Sequence, residues 1–293
     1  WNTDPDSAAD GLMGASKLVN QFRNDYVTNS NSSYWLTNPE EPLTGWPLVL
    51  GDIETERSPR TRSGLAMVAQ RQAGTDGLPG TTFDMDNMQE LMLSNQNYVG
   101  QILRDDLVTL CTDNPTVTVD GAEINLATAC QVLADWDLTS NLDSRGAHLF
   151  REFMRAARVD ESSRSRSMPA ALNYVTDFGL EDPVNTPRGL DTTDNALALE
   201  FLGRAVIAIN AAGIALDAPL GELQGITLND EYIPMPGGEE FEGVFNKMGY
   251  SAISAEGYPN PTGSGASWLM IAIPDGENTQ ARGIAALSQS TDP

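Results

Sequence analysis

Two asparagines one residue apart, Asn29 and Asn31, carry side-chain NH2 groups of a kind that can donate to a developing negative charge. A carboxamide NH2 is a hydrogen-bond donor. Donors aimed at a tetrahedral oxyanion typically contribute a few kcal/mol to acyl transfer. If Asn29-Ser30-Asn31 is extended, both side chains point the same way. Asn and Ser also cluster in hydrogen-bonded turns, and the residues taken alone favour that turn. A second group is Arg57-Ser-Pro-Arg-Thr-Arg62, in which three guanidiniums each offer five fixed donors.

Other chemistries are poorly supplied. The single histidine, His148, would have to serve any Ser-His-Asp triad. It falls in Ser144–Met154, a helix start, and reads as a helix-surface residue. Arg145, Arg151, Arg155, Arg158, Arg164 and Arg166 read as a solvated face paired with local acids. Cys111 and Cys130 form no CxxC motif. They are either a disulfide, which implies an oxidising compartment, or two buried thiols. Adjacent acids such as Asp84/Asp86 and Asp105/Asp106 lack the spaced Asp/Asn ladder with Gly of a calcium loop, so no metal and no cofactor are assigned.

Composition narrows the partners. The chain has 293 residues, with 17 Lys+Arg against 41 Asp+Glu and a formal net charge of −24. Such a surface repels phosphate backbones and anionic headgroups, which argues against nucleic-acid and membrane binding. At 40% hydrophobic residues the chain can build a core. No apolar run approaches the ~20 residues of a membrane span. The start shows no basic region followed by an apolar stretch, so no signal peptide is expected within this sequence.

The elements that would position these residues fall into three stretches. Residues 1–60 are polar, with Tyr26–Asn31 and Tyr34–Thr37 as short extended runs between Asn, Ser and Pro. Residues 61–215 are mainly helical. Helical periodicity predicts segments at Arg62–Gln72, Asp84–Ser94, Val99–Leu110, Leu126–Asp137, Ser144–Ala157 and Asp194–Ala212. Met85, Met88 and Met92 read as core filler. Thr116–Ile124 suits a hairpin on Asp120-Gly121, and 159–193 reads as a long surface connection. Residues 216–293 shift to β-formers, with strands at Gly225–Ile233, Gly243–Asn246, Ser267–Ile273 and Ala281–Gln289. Trp268–Ile273 is nearly all apolar, the pattern of a strand covered on both faces, partly by sequence outside this chain.

The stretch Asn24-Asp-Tyr-Val-Thr-Asn-Ser-Asn-Ser-Ser-Tyr-Trp-Leu-Thr-Asn-Pro39 resembles the β subunits of the penicillin-acylase family, nearest the acyl-homoserine-lactone and aculeacin-type acylases. Arg57–Arg62, Ala129–Asp137 with Asn141–Ser144, and Ala281–Pro293 agree in the same order. The resemblance implies an α+β fold: the later half of an N-terminal-nucleophile αββα hydrolase β subunit, with a helical middle and β segments at both ends. It implies that Asn31 is the oxyanion-hole Asn, that Arg60 is the active-site Arg, and that Cys111 and Cys130 pair. It also implies a periplasmic or secreted location. The family's nucleophile is a Ser that begins the β subunit, whereas this chain begins with Trp1. The expectation is therefore a fragment, inactive alone, whose partners are the α subunit and the N-terminal part of the β subunit of one precursor. The substrate would be a small acylated molecule: an acyl-homoserine lactone (quorum quenching), or else a penicillin, cephalosporin or aculeacin-type lipopeptide. A reading of another class is a non-catalytic acidic helical binding domain.

Overall fold

A computed structural model describes residues 4–158, 167–259 and 261–285. The chain divides into two compact units, 1–57 and 58–293.

In the first unit the described residues contain neither α-helix nor strand. Short 3-10 turns occur at Ala15–Lys17, Tyr34–Leu36 and Leu48–Leu50. Tyr26–Asn31, read as strand or extended loop, is loop, whereas Tyr34–Thr37 holds a 3-10 turn instead, and the β segment expected at the N-terminal end is corrected. The reason is local side-chain hydrogen bonding, which competes with a ladder. The buried Asn38 donates from Nδ2 to Tyr26 O (3.1 Å), and its Oδ1 accepts from Glu40 N (3.0 Å). Trp35, Leu36 and Trp46 form the small buried centre.

The second unit is built on helices. These are α1 (Pro59–Ala73), α2 (Met85–Leu93), α3 (Tyr98–Asp113), α4 (Ala127–Asp135), α5 (Ala147–Ala157), α6 (Ala196–Ala211) and the single turn α7 (Leu220–Leu223). Ser58 caps α1 by accepting from Thr61 N, and Pro59 takes the first helical position, where no N–H is needed. Asp84 and Asn87 close a capping box on α2. Along α2, Leu91 is buried and the three methionines are half-buried. Helices α3 to α6 enclose the main core, in which Trp136, Phe150 and Phe153 stack in series. Cys111 on α3 and Cys130 on α4 form a disulfide. Closing a loop of this length is worth about 3 kcal/mol in the chain-entropy account.

Among the described residues, ten strands pair as five separate two-stranded antiparallel sheets. Strands β1 (Thr116–Val119) and β2 (Ala122–Asn125) turn on Asp120-Gly121 as expected. Strands β3 (Tyr174–Thr176) and β4 (Arg188–Leu190) lie in the stretch read as a surface connection, of which 159–166, with Arg164 and Arg166, fall outside the described residues. The predicted single strand Gly225–Ile233 is instead a hairpin of β5 (Gly225–Leu228) and β6 (Glu231–Pro234), because Asn229 and Asp230 both adopt positive φ. Gly243–Asn246 is not a strand; the chain pairs at β7 (Met248–Tyr250) with β8 (Pro261–Gly265). Strands β9 (Trp268–Asp275) and β10 (Asn278–Ala285) close the described chain, while 286–293 lie outside it. Ile271 is 3% exposed, whereas Trp268 and Met270, on the opposite face of β9, are 56% and 57% exposed.

The architecture is thus α+β, with small antiparallel sheets around a helical middle.

Candidate active site

Asn29 and Asn31 are joined by a turn rather than set side by side along a strand. The backbone N–H of Asn31 donates to Asn29 Oδ1 at 2.9 Å, and Asn31 has φ 59°. Asn tolerates this left-handed conformation better than most residues. Both asparagines are exposed.

Arg57 secures the segment that follows. Its Nη1 donates to Ser33 Oγ (2.8 Å) and its Nε to Thr55 O (2.9 Å), and Nη2 also meets Thr55 Oγ1. The guanidinium lies 5.2 Å from the Trp35 ring centroid, a cation–π distance. Burial moves its pKa down. Gly51 allows the returning chain to pass: φ is 116°, and a Cβ there would come within 2.5 Å of Ser33 Cβ. Tyr34 and Trp46 meet edge to face with centroids 6.2 Å apart.

The three arginines of Arg57–Arg62 therefore go to three places. Arg57 belongs to the first unit, with the asparagine turn. Arg60, the second residue of α1 in the other unit, puts Nη2 3.7 Å from Glu240 Oε1. Arg62 is fully buried, donating from Nε to Val184 O and from Nη2 to Pro187 O, both at 2.8 Å, with its guanidinium 5.2 Å from the Tyr98 ring centroid.

His148 and Arg151 correct the reading of α5. The helix is buried on nearly every side. His148 is fully buried, not on the surface, and its Nε2 lies 3.0 Å from Ala215 O. A carbonyl needs a donor, so the N–H is on Nε2. Burial is the main reason its pKa falls to about 4. Arg151 is also fully buried, not part of a solvated face, and its Nε donates to Glu242 Oε2 at 2.8 Å. The half-buried Arg155 pairs with Glu239 and Glu152, while Arg145 is exposed and donates to Asp217 O (2.6 Å). Tyr258, whose phenol burial keeps protonated, donates to Glu152 Oε1 at 2.7 Å. Arg151, Arg155 and Tyr258 thus each meet a carboxylate of this chain. Among the described residues no group of His, Cys, Asp or Glu is arranged to hold a metal ion.

Sequence reasoning missed the Arg57 clamp and the acidic turn at 239–242. Arg57 was one of three neighbouring arginines, and nothing local distinguishes it. The turn's partners come from α1 and α5, which no short motif encodes.

Comparison with known proteins gives the family. The family model described as Penicillin amidase matches residues 1–293, and the chain belongs to that family. It is 36% identical over 291 residues to aculeacin-A acylase of Actinoplanes utahensis, covering 99% of this chain and 35% of that protein. It is 28% identical over 299 residues to the acyl-homoserine lactone acylase PvdQ of Pseudomonas fluorescens, covering 100% of this chain and 35% of the relative. The figure for PvdQ of Pseudomonas syringae pv. syringae is 27% over 299 residues. The chain thus spans about a third of the length of these curated relatives.

Proposed function

We propose that this chain is part of a longer amidohydrolase that cleaves the amide of N-fatty-acylated small molecules, with acyl-homoserine lactones as the first substrate class. The observation that carries the reading is the match along the entire chain to acylases, with the asparagine turn inside the matched region. A second reading, the acyl amide of an aculeacin-type lipopeptide, is favoured by the higher identity to aculeacin-A acylase.

In this reading Asn31 donates from its side-chain NH2 to the oxyanion of the tetrahedral intermediate. Arg60 supports the surroundings of the nucleophile. The nucleophile is an N-terminal Ser supplied by sequence outside this chain, with its own α-amine as base. One consideration supports an external nucleophile: His148 is buried against Ala215 O, so it activates no serine. The chain alone is accordingly inactive. Its partners are the α subunit and the N-terminal part of the β subunit of the same precursor. The exposed apolar face of β9, with Trp268 and Met270, is where an αββα core would continue. The disulfide supports a periplasmic or secreted location, and among the described residues no helix is long and apolar enough to cross a membrane.

Mass spectrometry of the purified parent protein tests this reading. A second polypeptide beginning with Ser, together with fatty-acid release from N-dodecanoyl-homoserine lactone or aculeacin A, is expected. A parent with no such polypeptide and no amide hydrolysis would leave a non-catalytic binding domain.

A further inference from the structure

One short turn presents three carboxylates to three different arginines. Glu239, Glu240 and Glu242 surround the 3-10 turn Glu240–Glu242. Glu242 Oε2 accepts from Arg151 Nε at 2.8 Å and from Glu239 N at 2.6 Å, and its Oε1 accepts from Asn97 Nδ2 at 3.2 Å. Glu239 Oε1 accepts from Arg155 Nη2 at 2.9 Å and from Tyr250 N at 2.8 Å. Both flanking carboxylates are thereby locked to α5, which is itself core. The middle one, Glu240, faces Arg60 on α1 with Oε1 3.7 Å from Nη2.

The backbone of the turn also seats α1. Gly243 leaves the turn at φ 72°, and a Cβ there would meet Tyr98 Cβ at 2.8 Å and Pro59 O at 3.2 Å. Only glycine lets the turn lie this close to the first residue of α1. Two contacts one residue apart, Gly243 on Pro59 and Glu240 on Arg60, therefore hold the start of α1 against one fixed point.

We propose that Glu240 is a positioning residue for Arg60: the acidic turn, anchored by Arg151 and Arg155, sets where the Arg60 guanidinium stands. This rests on the reading of Arg60 as an active-site residue. A long guanidinium side chain has much rotamer freedom to lose. Glu240 removes part of it beforehand, from a turn that the Glu239 and Glu242 contacts hold on either side of it. A misplacement of a catalytic support by about 1 Å can cost up to about 10²-fold in rate.

The test is a double-mutant cycle in the processed, full-length parent enzyme, with N-dodecanoyl-homoserine lactone and aculeacin A as probes. Glu240→Gln keeps the shape and removes the charge. It is expected to lower kcat about tenfold with KM within about twofold. The melting temperature should hold within about 2 °C, since a partly exposed ion pair adds little stability. In an Arg60→Ala background the same change should cost less than about twofold, because its effect runs through Arg60. Wild-type kcat in Glu240→Gln beside a crippled Arg60→Ala overturns the positioning role and leaves Arg60 intact. An equal tenfold loss in both backgrounds also overturns it. Wild-type kcat in Arg60→Ala alone overturns the Arg60 assignment and the positioning role with it.

Discussion

Asn31 takes its place from Asn29: its backbone N–H donates to the Asn29 side-chain Oδ1 at 2.9 Å while its own φ is 59°. The two residues therefore have different tasks. Asn29 spends its carbonyl oxygen on holding the turn, and Asn31 is the residue presented at its end. Asp at position 29 keeps an acceptor oxygen where the turn needs it, and Ala does not. Asn29→Asp should leave kcat of the parent enzyme within about threefold, and Asn29→Ala should lower it about tenfold, since only the latter loosens the turn. Equal losses in steady-state kinetics would show that the Asn29 NH2, not its Oδ1, is what matters.

The Arg151–Glu242 pair makes a prediction of stability rather than rate. Both side chains are fully buried, 91 residues apart in sequence and 2.8 Å apart in space. Removing one partner leaves a buried charge uncompensated, which typically costs about 3–5 kcal/mol. Glu242→Gln or Arg151→Met should each destabilise by that order in urea unfolding. The double variant should cost clearly less than the sum of the two. Strict additivity would mean that the two charges do not answer each other.

His148 links stability to pH. Burial among core groups, chiefly, depresses its pKa to about 4, so the folded protein holds it neutral well below the ordinary value of 6.5. The unfolded chain takes up a proton below about 6.5 and the folded protein only near 4, so acid favours unfolding across that window. The contribution of His148 is complete above about pH 6.5 and falls by about 1.4 kcal/mol per pH unit towards pH 4. Many carboxylates titrate in the same range, so the measurement is a difference. Stability of the wild type should fall more steeply than that of His148→Gln between pH 6.5 and 4.5. Parallel curves would contradict the burial of a neutral imidazole.

The helical middle was legible because its signals are local. Leu202, Ala205 and Ile209 mark the buried stripe of α6, and Asp120-Gly121 marks its hairpin turn. The turn at Asn229-Asp230 went unread because Asp replaces the glycine that would have flagged positive φ. Helix α5 misled for a different reason. Its Arg151 and Arg155 look like a wet face until the acidic turn some 90 residues later supplies their partners, and His148 is buried against Ala215 O; no local pattern carries either pairing. Asn29-Ser30-Asn31 was legible both as a turn and as a donor pair. The structure makes it a turn, with Asn31 at its end.

The most direct test of the account is the kcat of Asn31→Asp in the processed parent enzyme with N-dodecanoyl-homoserine lactone and aculeacin A. Asp keeps the size and tolerates the left-handed backbone, but replaces the donating NH2 with an acceptor. Asn31→Gly serves as companion, since it fits the same φ with no side chain. With Asn31 as the oxyanion donor, both variants should fold and process as wild type, and kcat should fall about 10²–10³-fold with a much smaller change in KM. Turnover near wild type in either folded variant would contradict that role.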